Sequence, residues 1–171
     1  QYKDEIVEAD DSIAYYVTKL KEDEKVVIIS NDRDLCQLID DRVGVYVINL
    51  RTIVTKDNYL RHFDHHPTNL KLIKMISGDV SDNIKGIQGV SEKTLKKYFP
   101  EIVEKTLTLE NIISKIETIQ TERKNRLKTL DNIINKVTVG VQGNDIYEIN
   151  EKIINLKKPL LTESSKEELD Y

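Results

Sequence analysis

Asp79 and Asp82 stand three apart in Gly78-Asp79-Val80-Ser81-Asp82-Asn83, so both carboxylates can face one side of a helical turn or a tight loop. Converging oxygen ligands of this kind suit a hard divalent cation such as Mg²⁺. Directly afterwards come Gly86-Ile87-Gln88-Gly89, then Ser91 as an N-cap, then a helix bearing Lys93, Lys96 and Lys97. Two glycines let main chain approach a ligand closely, and the free N–H groups of such a hairpin favour an anion such as a phosphate. Carboxylates for a metal beside amides for a phosphate point to chemistry on a nucleic-acid backbone.

Two further acidic groups precede these. Glu8, Asp10 and Asp11 fall in the first turns of an amphipathic segment that the periodicity predicts as a helix over 6–20. Asp32 and Asp34 follow Val26-Val27-Ile28-Ile29, whose β-branched run reads as a buried parallel strand. Their place, the C-terminal end of a strand, is where open α/β sheets bind ligands. Taken singly, each group has a plain reading: a complement to the helix dipole, a helix cap with a salt bridge, a turn. Taken together, they provide carboxylates from several segments, as a pair of divalent ions about 4 Å apart requires.

The rest of the chain alternates. Asp34–Leu38 reads as a short helix, 43–48 and 52–54 as strands, and Thr55 as the cap of a helix running to about Phe63. Pro67 opens another helix through Ile76. Beyond Gly78 the pattern is helical: 92–98, then 109–119, then one continuous stretch over 122–137, ended by Gly140 and Gly143. Residues 146–156 are ambiguous, with 153–156 readable as extended, and from Pro159 onward a polar tail reads as partly disordered. These features predict an α/β fold: a partial parallel-sheet domain over 1–77, an all-α domain over 78–140, and a closing segment and tail over 141–171. The chain opens on a charged amphipathic segment with no strand before it. It therefore reads as the back part of a longer protein, or as a chain that needs a partner piece.

Composition narrows the function. The 171 residues include no Trp and a single Cys, which excludes an internal disulfide and a cysteine-based zinc cluster. With no apolar run long enough to span a bilayer, a reducing cytoplasm is expected. Cys36, between leucines, reads as core. The net charge of −4 argues at first against nucleic acid, but it is unevenly spread: 84–99 and 121–136 each carry a local excess of three positive charges. His62, His65 and His66 cluster without cysteine partners, and a loop reading fits them better than zinc.

The order and spacing of Glu8-Ala9-Asp10-Asp11, of Ser30-Asn31-Asp32-Arg33-Asp34-Leu35, and of the long run from Gly78 to Thr94 resemble three consecutive signatures of the 5′-nuclease superfamily. That superfamily includes the 5′–3′ exonuclease domain of bacterial DNA polymerase I, phage exonucleases of the ribonuclease H type and flap endonucleases. The resemblance runs from Glu8 to about Phe99. It implies a PIN-like catalytic domain followed by a helix–three-turn–helix domain that binds duplex DNA. Asp10, Asp11 and Glu8 would hold a first metal ion, and Asp32, Asp34, Asp79 and Asp82 a second site, with Asp10, Asp11, Asp32 and Asp34 catalytic. Two Mg²⁺ ions, or Mn²⁺, would serve the reaction. Gly86 and Gly89, with Gln88 and Ser91 beside them, would form the phosphate-binding hairpin, where a K⁺ ion also binds. Lys93, Lys96 and Lys97 would add phosphate contacts that position the duplex without reading sequence.

The implied substrate is DNA, or an RNA–DNA primer, with a 5′ flap, nick or primer end. Replication proteins are the implied partners, in the cytoplasm of a bacterial or phage-infected cell. In this family the fold begins with a strand carrying a metal-binding Asp, then a further acidic motif and a helical arch. None precedes Gln1, so the sheet is expected to present an exposed apolar edge, and the isolated chain to be inactive without that front part. The alternative is a duplex-binding module without catalysis.

Overall fold

The computed structural model describes residues 8–138 and 145–170. The chain divides into two compact units, Gln1–His62 with Asn155–Tyr171, and Phe63–Ile154.

The first unit holds helix α1 (Ala9–Thr18), strands β1 (Val26–Ser30), β2 (Val43–Val47) and β3 (Thr52–Val54), and helix α7 (Glu163–Leu169). Among the described residues the sheet order is β1-β2-β3, with β1 parallel to β2 and β3 antiparallel to it. The register pairs Ile28 with Val45 and Val45 with Val54, so the β-branched residues of one face are buried together. The opposite face carries Val27, Ile29 and Ile53, all exposed, and β1 is an edge strand. A 3₁₀ turn at Asp34–Leu38 buries Leu35, Cys36 and Leu38, and burial pushes the Cys36 thiol up to about 11, which keeps it protonated and inert.

The second unit holds α2 (Leu70–Ser77), α3 (Glu92–Tyr98), α4 (Leu109–Thr121), α5 (Lys128–Ile134) and α6 (Ile146–Ile154). Apolar residues at helical spacing explain its core: Ile112 and Ile116 on α4, Leu130 and Ile133 on α5, and Ile76 and Leu95 are almost fully buried in one cluster. Each such side chain contributes about 1.5–3 kcal/mol. Thr108 starts α4 and Ser91 starts α3, each with a reciprocal capping box.

Three expectations fail for local reasons. The helix expected from Thr55 to about Phe63 is a turn ending in a 3₁₀ segment, Tyr59–Arg61. Asn58 competes for the backbone, accepting from Thr55 N and donating to Ile53 O. The stretch over 122–137 is not continuous: α4 stops at Thr121 and α5 starts at Lys128. Gln120 closes the intervening loop, accepting from Leu127 N and donating to Leu127 O. The tail is ordered into α7, capped by Thr162. It is tied to α1 where Tyr15 and Lys19 both reach Asp170 at 3.0 Å. The ambiguous segment is helical from Ile146 to Ile154. Ile6, Val7, Gly140 and Gly143 lie outside the described residues.

The tightest packing in the second unit is backbone on backbone. A Cβ placed on Gly86 would lie 2.0 Å from Ser77 O, and one on Gly78 would lie 2.3 Å from Gly86 N. Gly89 differs: its φ is +76°, yet a Cβ there meets nothing closer than Thr129 Oγ1 at 4.0 Å. Urea unfolding should therefore separate the two positions. Gly86→Ala is expected to lose about 3 kcal/mol or more through overpacking, and Gly89→Ala only about 1 kcal/mol through backbone strain.

Candidate metal and nucleic-acid sites

In the first unit, the carboxylates gather where α1 starts and β1 ends. Ser30 Oγ accepts from Asp32 N at 2.9 Å, and Asp32 Oδ1 accepts from Asp34 N at 2.8 Å, so the loop after β1 is wound tightly by its own side chains. Asn31 Oδ1 accepts from Asn49 N at 2.8 Å and ties that loop to the one after β2. Asp10, on α1, comes within hydrogen-bonding reach of Asp32. Burial, then the charge and contact of Asp32, then Asp34 and Glu8, push the Asp10 carboxyl up to about 6. Asp11 looks elsewhere: its Oδ1 accepts from Leu160 N at 3.0 Å and anchors the segment leading to α7. The unit thus brings Asp10 together with Asp32, Asp34 and Glu8, while one oxygen of Asp11 is committed to the main chain.

In the second unit, Asp79 and Asp82 sit on a tight turn after α2. Asp79 and Ile84 exchange both backbone hydrogen bonds, at 2.9 and 2.7 Å, and Asn83 takes the left-handed conformation inside the turn. Asp79 Oδ1 accepts from Ser81 N at 2.9 Å, and Lys74 Nζ lies 2.5 Å from Asp79 Oδ2 and 4.0 Å from Asp82 Oδ2. Burial alone would raise the Asp79 pKa. The Lys74 and Ser81 hydrogen bonds outweigh it and hold this carboxyl well below the usual range.

The chain then runs straight into the hairpin. Ile87 N donates to Ile76 O at 2.8 Å and Gln88 N to Val137 O at 2.8 Å. Two buried asparagines pin the same stretch. Asn150 donates to Met75 O and Lys85 O at 3.0 and 2.8 Å, and Asn132 donates to Gln88 O at 2.9 Å. Gln88, Gly89, Ser91, Lys93 and Lys97 are exposed, while Gly86 is half-buried against Ser77. Ser91 uses its hydroxyl to cap α3. Lys96 is held by Asp64 and Glu92, its side chain only 20% exposed.

Asn132, Asn150 and Lys74 are absent from the sequence-based assignment. Asn132 and Asn150 carried a signal, since each is polar on an otherwise apolar helix face (Asn150 lies between Tyr147 and Ile154). The histidines serve local structure: His66 accepts from Thr68 N, and His65 is buried beside Phe63.

A family model described as the 5′-3′ exonuclease N-terminal resolvase-like domain matches residues 1–64. The 5′-3′ exonuclease of Aquifex aeolicus is 32% identical over 157 residues, 89% of this chain and 51% of its own length. That of Mycoplasmopsis pulmonis is 37% identical over 112 residues, 65% of this chain and 36% of its own length. The chain belongs to the 5′-nuclease superfamily. A solved structure of the same fold is the bacteriophage T5 flap endonuclease in a pseudo-enzyme–product complex with DNA and metal ions. It has a TM-score of 0.64 and 23% identity, and the match covers 88% of this chain and 50% of that one. This member of the superfamily thus spans between about a third and a half of the curated relatives it matches. The carboxylate oxygens of Asp10, Asp32, Asp34 and Glu8 are hard donors of the kind a divalent ion takes, and their crowding around a partly buried Asp10 is what a cation would relieve.

Because folding raises the proton affinity of Asp10, the metal-free protein is expected to lose stability as pH rises from about 4 through about 6. The loss levels off above that window. Thermal melts in chelator should show the decline, and Asp10→Asn should flatten it.

Proposed function

We propose that this chain carries carboxylates and the duplex-binding hairpin of a metal-dependent 5′–3′ exonuclease and structure-specific flap endonuclease. Its substrates are DNA or RNA–DNA primers with a 5′ flap, nick or primer end, in replication or repair. The carrying observation is the gathering of Asp10 with Asp32, Asp34 and Glu8 between the start of α1 and the end of β1, where burial and like charge push the Asp10 carboxyl up to about 6.

Glu8, Asp10, Asp11, Asp32 and Asp34, and Asp79 with Asp82, hold Mg²⁺ or Mn²⁺, some directly and some through water. Bound divalent ions supply an activated water and charge neutralisation at the leaving oxygen. The residues of the chain do the positioning. Hydrogen bonds within 30–34 and 79–84 fix the carboxylates before any ion arrives. Gly89 offers the exposed main chain of the hairpin to backbone phosphates, with the exposed Gln88 and Ser91 side chains beside it and K⁺ as an additional ion there; the Gln88 and Ser91 amides already donate to Val137 O and Thr94 Oγ1. Gly86 contributes by letting the hairpin pack flat on Ser77. Lys93 and Lys97 add phosphate contacts, and Lys96 braces α3 against Asp64. None of these groups reads a base edge, so recognition is of DNA structure rather than sequence. No helix among the described residues is long and apolar enough to cross a membrane, and the reaction belongs in the cytoplasm beside replication proteins.

A 5′-labelled flap duplex, incubated in Mg²⁺ with the chain alone and with the front-half polypeptide of a related 5′–3′ exonuclease, tests this. Product at the flap junction is expected in the complemented reaction. It should vanish in chelator and drop by at least about tenfold with Asp79→Asn. Duplex binding that survives chelator, with no product in any mixture, would establish a non-catalytic duplex-binding module instead.

A further inference from the structure

Lys74 lies on α2, one residue after Ile73 in an otherwise apolar stretch, and its ammonium lies against the two carboxylates of the 79–84 turn. The hydrogen bonding at Asp79 is already crowded. Oδ1 accepts from both the amide and the hydroxyl of Ser81, and Oδ2 accepts from Lys74 at 2.5 Å. The pair is shielded, with side chains 19% and 14% exposed, so solvent screens it weakly.

A divalent cation ligated by Asp79 Oδ2 would sit about 2.1 Å from that oxygen. An ammonium at 2.5 Å from the same atom lies in the same space and carries the same sign of charge. The two compete for the lone pairs of that oxygen and repel each other in a weakly screened site. We propose that Lys74 is a built-in competitor of the divalent ion at Asp79 and Asp82: it neutralises the turn in the absence of metal, and must swing away for direct ligation. Its long flexible stem allows that movement without disturbing α2. Lys74 is thus a positioning residue that sets the metal affinity of this turn. The inference rests on the reading of Asp79 and Asp82 as metal ligands.

Mn²⁺ titration of the full chain at low ionic strength, with free ion followed by electron paramagnetic resonance, separates the two. Asp79→Asn compared with the unaltered chain tests the metal reading. If both bind alike, or neither binds, that reading fails, and the competition falls with it. Given binding that Asp79→Asn weakens, Lys74→Met is expected to bind Mn²⁺ roughly tenfold more tightly. Lys74→Arg, which keeps the charge, should remain close to the unaltered chain. Unchanged or weaker binding by Lys74→Met would overturn the proposal and leave Lys74 as a strut that orients Asp79. Lys74→Gln provides the same comparison should the methionine variant fold poorly. As a second readout, Mn²⁺ should raise the melting temperature of the neutral variant by more than it raises that of the unaltered chain. An equal or smaller rise would count against competition.

Discussion

At Gly86 two stretches of main chain meet with no room for a side chain between them. The end of α2 and the outgoing arm of the 79–84 turn are thereby held at backbone contact distance. Ile87 then bonds back to Ile76, and Asn150 bridges Met75 and Lys85 across the same junction. The acidic turn and the hairpin are consequently consecutive parts of one hydrogen-bonded element. Its geometry is set by peptide groups, which are stiffer than side-chain contacts and carry obligatory donors and acceptors. Placing carboxylates and exposed amides a few residues apart on such a frame fixes their spacing more firmly than two separate loops would.

The two sets of carboxylates handle their own charge in opposite ways. In the first unit burial and the like charges of Asp32, Asp34 and Glu8 raise the proton affinity of Asp10. In the second, Lys74 supplies a counter-charge, and Asp79 stays ionised well below the usual range. The direction of each shift follows from burial set against the neighbouring groups rather than from the residue type. A proton on a carboxyl and a lysine ammonium beside one are two ways in which a protein offsets crowded carboxylates without a cofactor.

Much of this was legible in the sequence. The β-branched runs gave the strands at 26–30, 43–47 and 52–54, and the spacing of Ile112 and Ile116 gave α4 with its buried face. Misreadings occurred where side chains bond the backbone over a few residues. Asn58 turns 55–58 away from a helix, and Gln120 closes a loop that apolar periodicity alone would carry through as helix. The tail escaped because its order depends on Tyr15 and Lys19, some 150 residues earlier. At the sites, the acidic residues announced themselves by type and spacing. The asparagines that hold the hairpin showed only as polar positions on apolar helix faces; their partners are main-chain carbonyls that no side-chain pattern reveals. Gly86 reads in the sequence as a glycine that lets main chain approach a ligand. Its close approach is to Ser77 and Gly78, a contact between segments that the local motif does not encode.

The lysines of α3 show how far a charge count can be taken. Lys93 and Lys97 are four apart and share one side of the helix, both exposed. Lys96 is closed in by Asp64 and Glu92, and burial, which would lower its pKa, is outweighed by the two carboxylates. Arg126 is likewise engaged by Asp131, a neighbour within the same stretch. The positive excess read from 84–99 and 121–136 therefore includes charges that the fold spends internally. What stays exposed is Lys85, Lys93 and Lys97 in the first stretch and Arg123, Lys124 and Lys128 in the second. Oriented amides attract an anion without adding net charge, which suits a chain whose overall balance is acidic.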